Sequence, residues 1–293
     1  MRGGCLFVSH GGGPMPLLGD PSHASMVKFL RGHEYRPSAV LLISAHWQTA
    51  VPTLTSGARP QLIFDYGGFP PESYRYTYAA RGDPVLAKRA AAMLQTAGIA
   101  ARLDESRGWD HGVFVPMMLM FPKADVPIVC LSLLKNADPA QHFELGRALR
   151  PLRDEGVLIL GSGSSYHNMG GFFGGVRQLC RNQNSTAPTP STRMHPTHWL
   201  ISTQVANAAE ASAAFDKYLT AACAAPAPER RKLLVDWERA PHARACHPPG
   251  GEEHLLPLIV VAGAAYDDES GTKLWTEPDF FGRVTMSSWG FSM

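Results

Sequence analysis

Val8-Ser9-His10-Gly11-Gly12-Gly13-Pro14 places a histidine just past the short apolar run Leu6–Ser9, and Leu41-Leu42-Ile43-Ser44-Ala45-His46-Trp47 repeats the arrangement after Ala39–Ser44. Runs of this length, bounded by Gly, Pro or polar residues, read as strands buried on both faces. In open α/β sheets, ligands gather in the crevice outside the carboxyl ends of such strands. Either histidine alone reads more readily as a hydrogen-bonded structural residue than as a ligand. Two in one setting, joined by His254 beside the apolar run 255–265, point to a metal centre, because neutral imidazole is the commonest metal ligand.

Further apolar runs at Ile128–Leu133, Val157–Gly161 and Leu258–Ala262 extend the strand set. Between them, Asp83-Pro84 precedes a helix-forming stretch over 85–97 that ends at Gly98, and Asp138-Pro139 does the same for 140–153, with Gly156 beyond. A capping carboxylate followed by proline at the first helical position is a helix start signal. An Ala-rich span over 205–225, then Pro226-Ala227-Pro228 and a charged run, predicts helix, break and helix. The alternation gives an α/β class: a central, mostly parallel or mixed sheet flanked by helices, in a single domain over 1–293, with the site at strand carboxyl ends. The Asn/Ser/Thr/Pro-rich stretch 178–196 has no apolar period and reads as an exposed loop, with His195 and His198 on that surface.

The chain has 293 residues, 45% of them hydrophobic, enough for a substantial core. With 27 basic and 25 acidic residues its formal charge is +2, so no strong field recruits nucleic acid or an anionic membrane. A small-molecule partner fits better. Five scattered cysteines, odd in number and never in a CxxC pair, argue against a disulfide framework or thiolate zinc ribbon and point to a reducing, cytoplasmic setting. Neither a signal peptide nor a stretch of about twenty apolar residues is found. No sequence pattern encodes the oligomeric state.

His167 follows Leu158-Ile159-Leu160 on the loop Gly161-Ser162-Gly163-Ser164-Ser165, in the same topological situation as His10 and His46, and is placed to be a ligand or an acid/base. The loop lacks the GxSxG spacing of a nucleophile elbow. Asn168 beside it either orients a ligand or caps the loop. Asp110-His111-Gly112 reads as an Asp-sealed turn or as a substrate contact in which His111 donates to a substrate oxygen. Gly11-Gly12-Gly13 lacks the partners of a phosphate loop and instead lets backbone crowd around a bound group. Asp65, Tyr66, Tyr74 and Tyr76 are as well suited to core as to pocket.

Taken together, Ser9-His10-Gly11-Gly12-Gly13-Pro14, Ser44-Ala45-His46-Trp47, Asp65-Tyr66-Gly67-Gly68-Phe69-Pro70, Trp109-Asp110-His111-Gly112, the segment from Gly161 to Asn168 and His254-Leu255-Leu256-Pro257-Leu258 resemble the class III extradiol ring-cleavage dioxygenases. The resemblance runs in order along nearly the whole chain and is strongest to the DOPA 4,5-dioxygenase branch, which shares the fold of the catalytic subunit of protocatechuate 4,5-dioxygenase. It implies that His10, His46 and His254 hold a metal, with His167 the active-site histidine and possible fourth ligand and His111 in the substrate pocket. It further implies a catechol and O2 as substrates, a muconic-semialdehyde type product, Fe(2+) iron as the working metal and Zn(2+) zinc as a plausible occupant. The segment from His247 to His254 is longer than the corresponding spacing in relatives, which leaves His247 and Glu253 as competitors for the third position. The stretch 178–196 also exceeds the usual connection, so substrate preference can differ. The rival readings are a zinc hydrolase built on the same three histidines and a non-catalytic metal-binding relative.

Overall fold

The computed structural model describes residues 2–173 and 196–293. Strands β1 (Cys5–Ser9), β2 (Ala39–Thr49), β3 (Thr53–Thr55), β4 (Arg102–Asp104), β5 (Ile128–Leu134), β6 (Val157–Gly163), β7 (Gly271–Phe280) and β8 (Val284–Phe291) form one sheet in the order β4-β3-β5-β2-β6-β1-β8-β7. Its centre, β5-β2-β6-β1, is parallel, while β3 on β5 and the hairpin β7–β8 on β1 pair antiparallel. The sheet is therefore mixed, as the alternating pattern implied. The central strands β1, β5 and β6 are buried at every position, which is why they read as unbroken apolar runs.

The helices are α1 (Ala24–Arg31), α2 (Pro84–Thr96), α3 (His111–Met120), α4 (Pro139–Leu149), α5 (Met169–Phe173), α6 (Pro196–Ala224), α7 (Ala227–Val235), α8 (Ala243–Cys246) and α9 (Leu256–Ala264). Asp83 caps α2 by accepting from Val85 N and Leu86 N, and Asp138 caps α4 by accepting from Ala140 N and Gln141 N, with proline opening each helix. The second of these is shorter than 140–153: Pro151 lies in a six-residue 3-10 turn over 150–155, which Gly156 closes in the left-handed conformation. The Ala-rich helix starts earlier than expected, at Pro196, so that His198 falls within it. The stretch 178–195, with His195, lies outside the described residues.

One strand assignment is overturned. Leu258–Ala262 belongs to helix α9, not to a strand. Every residue of α9 is buried, with β6 and β1 on one side and α4 on the other, so no polar face betrays the helical period. Pro257 sits in its first turn, where a missing N–H costs nothing. Gly146 allows α4 to approach: a Cβ there would lie 1.9 Å from the Val260 carbonyl oxygen. The hairpin β7–β8 has no counterpart among the apolar runs, because β7 is an edge strand with charged, half-exposed positions and Pro278.

Parallel pairing brings the carboxyl ends of β1, β6 and β2 to one edge, with β6 in the middle. In register, Ser162 of β6 lies abreast of Val8 and Ser44. The residues just beyond these three positions converge on a single crevice.

Candidate functional site

His10 emerges directly from β1, its N–H donating to the Gly163 carbonyl (3.2 Å). His46 arises differently. Strand β2 pairs regularly up to Ile43, then shifts register before Gln48, and His46 stands in that irregularity. Such a bulge re-aims a side chain. Ser44 stabilises it, its hydroxyl donating to Asp110 Oδ1 (2.7 Å) and accepting from His46 N (3.2 Å). Gly112 leaves room for the result, since a Cβ there would lie 2.6 Å from Ser44 Oγ and 3.0 Å from the His46 ring.

The Nε2 atoms of His10 and His46 face each other at 3.2 Å. The tautomer of His10 follows from its neighbours. Pro116 inside α3 has no N–H, so Gly112 O lacks its helical donor and takes the Ser162 hydroxyl instead. That serine has one proton, already committed, and must accept from His10 Nδ1–H across 2.9 Å. His10 Nε2 therefore carries a lone pair aimed at His46. At a metal–nitrogen distance of about 2.1 Å, two nitrogens 3.2 Å apart subtend roughly 100° at a shared ion, between the octahedral and tetrahedral angles. The pair fits a bound divalent metal.

His254 does not end a strand. It precedes α9, held against the end of β6 by Ser164 N donating to its carbonyl (2.9 Å). Its ring centroid lies 5.3 Å from that of His10 and 4.9 Å from that of His46. Glu253 Oε1 accepts from His254 Nδ1 (2.9 Å) and lies 3.2 Å from His167 Nδ1, and the two rings stack at 3.4 Å with 17° between planes. The preceding Glu252 is drawn the other way by Arg244 (2.5 Å). His167 itself is anchored by His167 N donating to Cys246 O. Asn168 is a cap: its Oδ1 accepts from Gly170 N and Gly171 N at the start of α5.

His111 opens α3. Its amide and its Nδ1 both donate to Asp65 Oδ1 (3.0 and 2.8 Å), while Asp65 Oδ2 lies 3.5 Å from His46 Nδ1. The expected donation from His111 to substrate is thus altered. With Nδ1–H committed to Asp65, a neutral His111 accepts at Nε2 and donates there only as the imidazolium, with Asp65 as counter-ion. Its ring stands 4.0 Å from His46 and 5.3 Å from His10, centroid to centroid, so His10, His46 and His111 also form a cluster able to hold a metal, as do His167, Glu253 and His254. On its other side His111 faces Tyr66, which packs with Phe69, Tyr74 and Phe114 into an aromatic wall. Asp110 supports α3 from below, its Oδ2 paired with Arg107 (2.8 Å).

The electrostatics suit a metal centre. Burial, reinforced by the neighbouring histidines, holds His10 and His46 well below the ordinary 6.5 and His254 down to about 3, so all three stay neutral at physiological pH. Burial pushes the Asp65 carboxyl up, but the hydrogen bond and charge of His111 outweigh it and bring it down to about 2. Glu253 is lowered in the same way, burial losing to its bonds with His167 and His254.

His247 is not in the cluster. It is fully buried between Phe215 and Trp237 and donates from Nε2 to Ser165 O (3.1 Å). Gly11 and Gly12 pack against His23: a Cβ on Gly11 would lie 2.6 Å from its ring, and Gly12 N donates to His23 Nε2 (3.1 Å), whose Nδ1–H is taken by Asp20. The partners of Ser162, and the support that Asp20 and His23 give Gly12, depend on strand register and loop closure, which the motifs around them do not encode.

Comparison with known proteins agrees. Residues 19–283 match the family model described as the catalytic LigB subunit of aromatic ring-opening dioxygenase. The chain is 41% identical over 276 residues to a dioxygenase, tasH, of Hapsidospora irregularis, covering 90% of this chain and 78% of that protein. It is 36% identical over 266 residues to a 4,5-DOPA dioxygenase extradiol of Beta vulgaris (89% and 86% covered) and 32% identical over 284 residues to one of Escherichia coli K12 (97% and 92%). A crystal structure of an uncharacterized Escherichia coli K12 protein superposes with a TM-score of 0.71 at 28% identity, covering 99% of each chain. With its crevice of converging histidines at the β1, β2 and β6 ends, the chain belongs to the LigB family of metal-dependent, ring-cleaving extradiol dioxygenases.

Proposed function

We propose that this enzyme opens the ring of a catechol bearing a side chain, DOPA-like in shape, beside its diol to give a muconic-semialdehyde type product, with His10, His46 and His254 holding Fe(2+). The observation that carries this reading is the 3.2 Å convergence of His10 and His46 Nε2, with the His10 lone pair fixed by Ser162. For the third ligand, His254 is favoured over His111, which abuts the aromatic wall where a substrate ring would stack, and over Glu253, whose Oε1 faces the Nδ1 atoms of His254 and His167. Bound iron would bring catechol and O2 together and pass electron density from the ring to O2, so that the catechol itself is the reductant, and a three-imidazole set also suits zinc.

The remaining steps belong to the chain. With Nδ1–H directed at Glu253, His167 offers a lone pair at Nε2 that accepts the proton of a catechol hydroxyl, and the resulting imidazolium later returns it. Glu253 is the counter-ion during that interval. His111 orients the second catechol oxygen, backed by Asp65. The aromatic wall of Tyr66, Phe69 and Tyr74 excludes water from one face of the ring. Both oxygen atoms enter the product, so no external reductant is needed. The buried, unpaired Cys5, Cys130, Cys223 and Cys246 support a reducing, cytoplasmic setting.

Oxygen uptake after anaerobic Fe(II) loading, with L-DOPA, caffeate and protocatechuate, tests the proposal. One O2 consumed per catechol with a new visible chromophore, lost in His10→Ala and strongly slowed but still measurable in His167→Ala, is expected. Metal analysis of His254→Ala and His111→Ala separates ligand from substrate contact: only the first loses the metal. Catechol conversion without O2 uptake would overturn the reading.

A further inference from the structure

Glu253 touches two rings with different tasks. Its Oε1 lies 2.9 Å from Nδ1 of His254 and 3.2 Å from Nδ1 of His167. The rings are nearly parallel, 17° apart in plane and 3.4 Å between centroids. Two stacked imidazoles that turn their Nδ1 atoms to one acceptor keep Nε2 for another partner, and the His254 ring stands 5.3 Å from that of His10 and 4.9 Å from that of His46, centroid to centroid. An ionised carboxylate accepts only, so it selects the Nδ1–H tautomer in both rings. Either ring in the other tautomer would put a proton on the nitrogen that has to bind metal or take the substrate proton.

We infer that Glu253 is the positioning residue of this enzyme: one carboxylate oxygen fixes the tautomer and the orientation of the metal-side His254 and of the acid/base His167 together, a reading that rests on the roles proposed above for those histidines. Two structural details set Glu253 apart from its neighbour. Arg244 holds Glu252 and also Glu238 (2.7 Å), so only the second glutamate turns inward. The His254 carbonyl accepts from Ser164 N, beyond the end of β6, and Glu253 Oε1 stands at the Nδ1 atoms of both rings. Carboxylates behind ligating histidines fix ring orientation in many metal sites, and losing one typically costs about 10- to 100-fold in metal affinity or activity. Here the same oxygen serves a histidine that is not one of the three ligands, so its loss should register twice.

The test uses 15N-labelled full-length protein, zinc-loaded and metal-free, as wild type, Glu253→Ala, Glu253→Gln and His167→Ala. In wild type, the nitrogen shifts should report Nδ1–H at His254 and His167 in both metal states. Glu253→Ala should lose that preference at these two rings while His10, fixed by Ser162, keeps it, and zinc affinity should fall about 10- to 100-fold. Glu253→Gln, which keeps a neutral acceptor, should be intermediate, and it serves if the alanine variant does not fold. With metal saturated by Fe(II), kcat should fall about 10-fold or more for Glu253→Ala with KM for catechol nearly unchanged, and that fall should largely vanish in a His167→Ala background. Unchanged tautomers in Glu253→Ala, Nε2–H at either ring in wild type, or fully additive losses with His167→Ala would each overturn the inference. Absence of ring cleavage in the iron-loaded wild type would instead overturn the proposed reaction, and the nitrogen shifts would still decide the role of Glu253.

Discussion

Single residues at this site act through their hydrogen bonds more than through their charge. Ser162 is the clearest case. Its hydroxyl gives its proton to Gly112 O and receives one from His10 Nδ1, so Ser162→Ala leaves two buried polar groups without partners. Each such orphan costs about 1–3 kcal/mol. The freed imidazole can then adopt the Nε2–H tautomer, and metal affinity should drop roughly 10-fold or more, measured by competition with a chelator. Asp65 offers a second test. It fixes His111 by two bonds to one oxygen, and Asp65→Asn should lower kcat/KM about 10- to 100-fold while the three-ligand metal content is kept. Loss of metal in that variant would instead mark His111 as a ligand.

At the scale of elements, the site depends on helix α9 more than on any flanking loop. α9 carries His254 at its entrance and packs on α4 through Gly146, where a side chain would collide with the Val260 carbonyl at 1.9 Å. Gly146→Val should therefore destabilise the protein by about 1–3 kcal/mol or more and also weaken metal binding, because α9 must shift. Asp138→Ala provides the contrast. It removes the cap of α4 without touching the α4–α9 contact at Gly146, and should cost about 1 kcal/mol of unfolding free energy in urea with metal affinity unaltered. If both variants bound metal like wild type, α9 would not be what holds the ligand. The element scale also explains one misreading: α9 is apolar all round because sheet and helix cover it, and an apolar run of that length carries no period to distinguish helix from strand.

For the whole molecule, the buried neutral histidines link stability to pH. His254 is lowered to about 3 and His247 to about 4, both first by burial, from an ordinary 6.5 in the unfolded chain. Between those values and 6.5 the unfolded state binds protons that the folded state does not, so stability rises with pH up to about 6.5 and is lost as pH falls below it. Each such histidine contributes a slope of about 1.4 kcal/mol per pH unit in that window. Denaturant midpoints of the metal-free protein should accordingly decline steadily from pH 6.5 to 4.5, and a flat profile would contradict the burial of these rings. Zinc at 100 times its dissociation constant should add about 2.7 kcal/mol near neutral pH, an increment that fades in acid as protons compete for the same nitrogens.

Strong local signals were legible without the fold: the buried parallel strands, whose apolar runs need no partner to be recognised, and the helices opened by Asp-Pro. The sequence also supplied His10, His46, His111, His167 and His254, because histidines placed after such runs, together with their surrounding motifs, stand out residue by residue. Which nitrogen of each ring faces the crevice was settled only in three dimensions. That choice belongs to Ser162, Asp65 and Glu253, whose partners lie 152, 46 and 86 residues away in the chain, apart from the adjacent pair Glu253 and His254. Of two successive glutamates, Arg244 decides which one turns inward, and of two apolar readings for Leu258–Ala262, the covering α4 decides for helix. Hydrogen-bond partnership and burial are properties of neighbours in space, and a linear pattern holds them only once strand register and helix packing have brought those neighbours together.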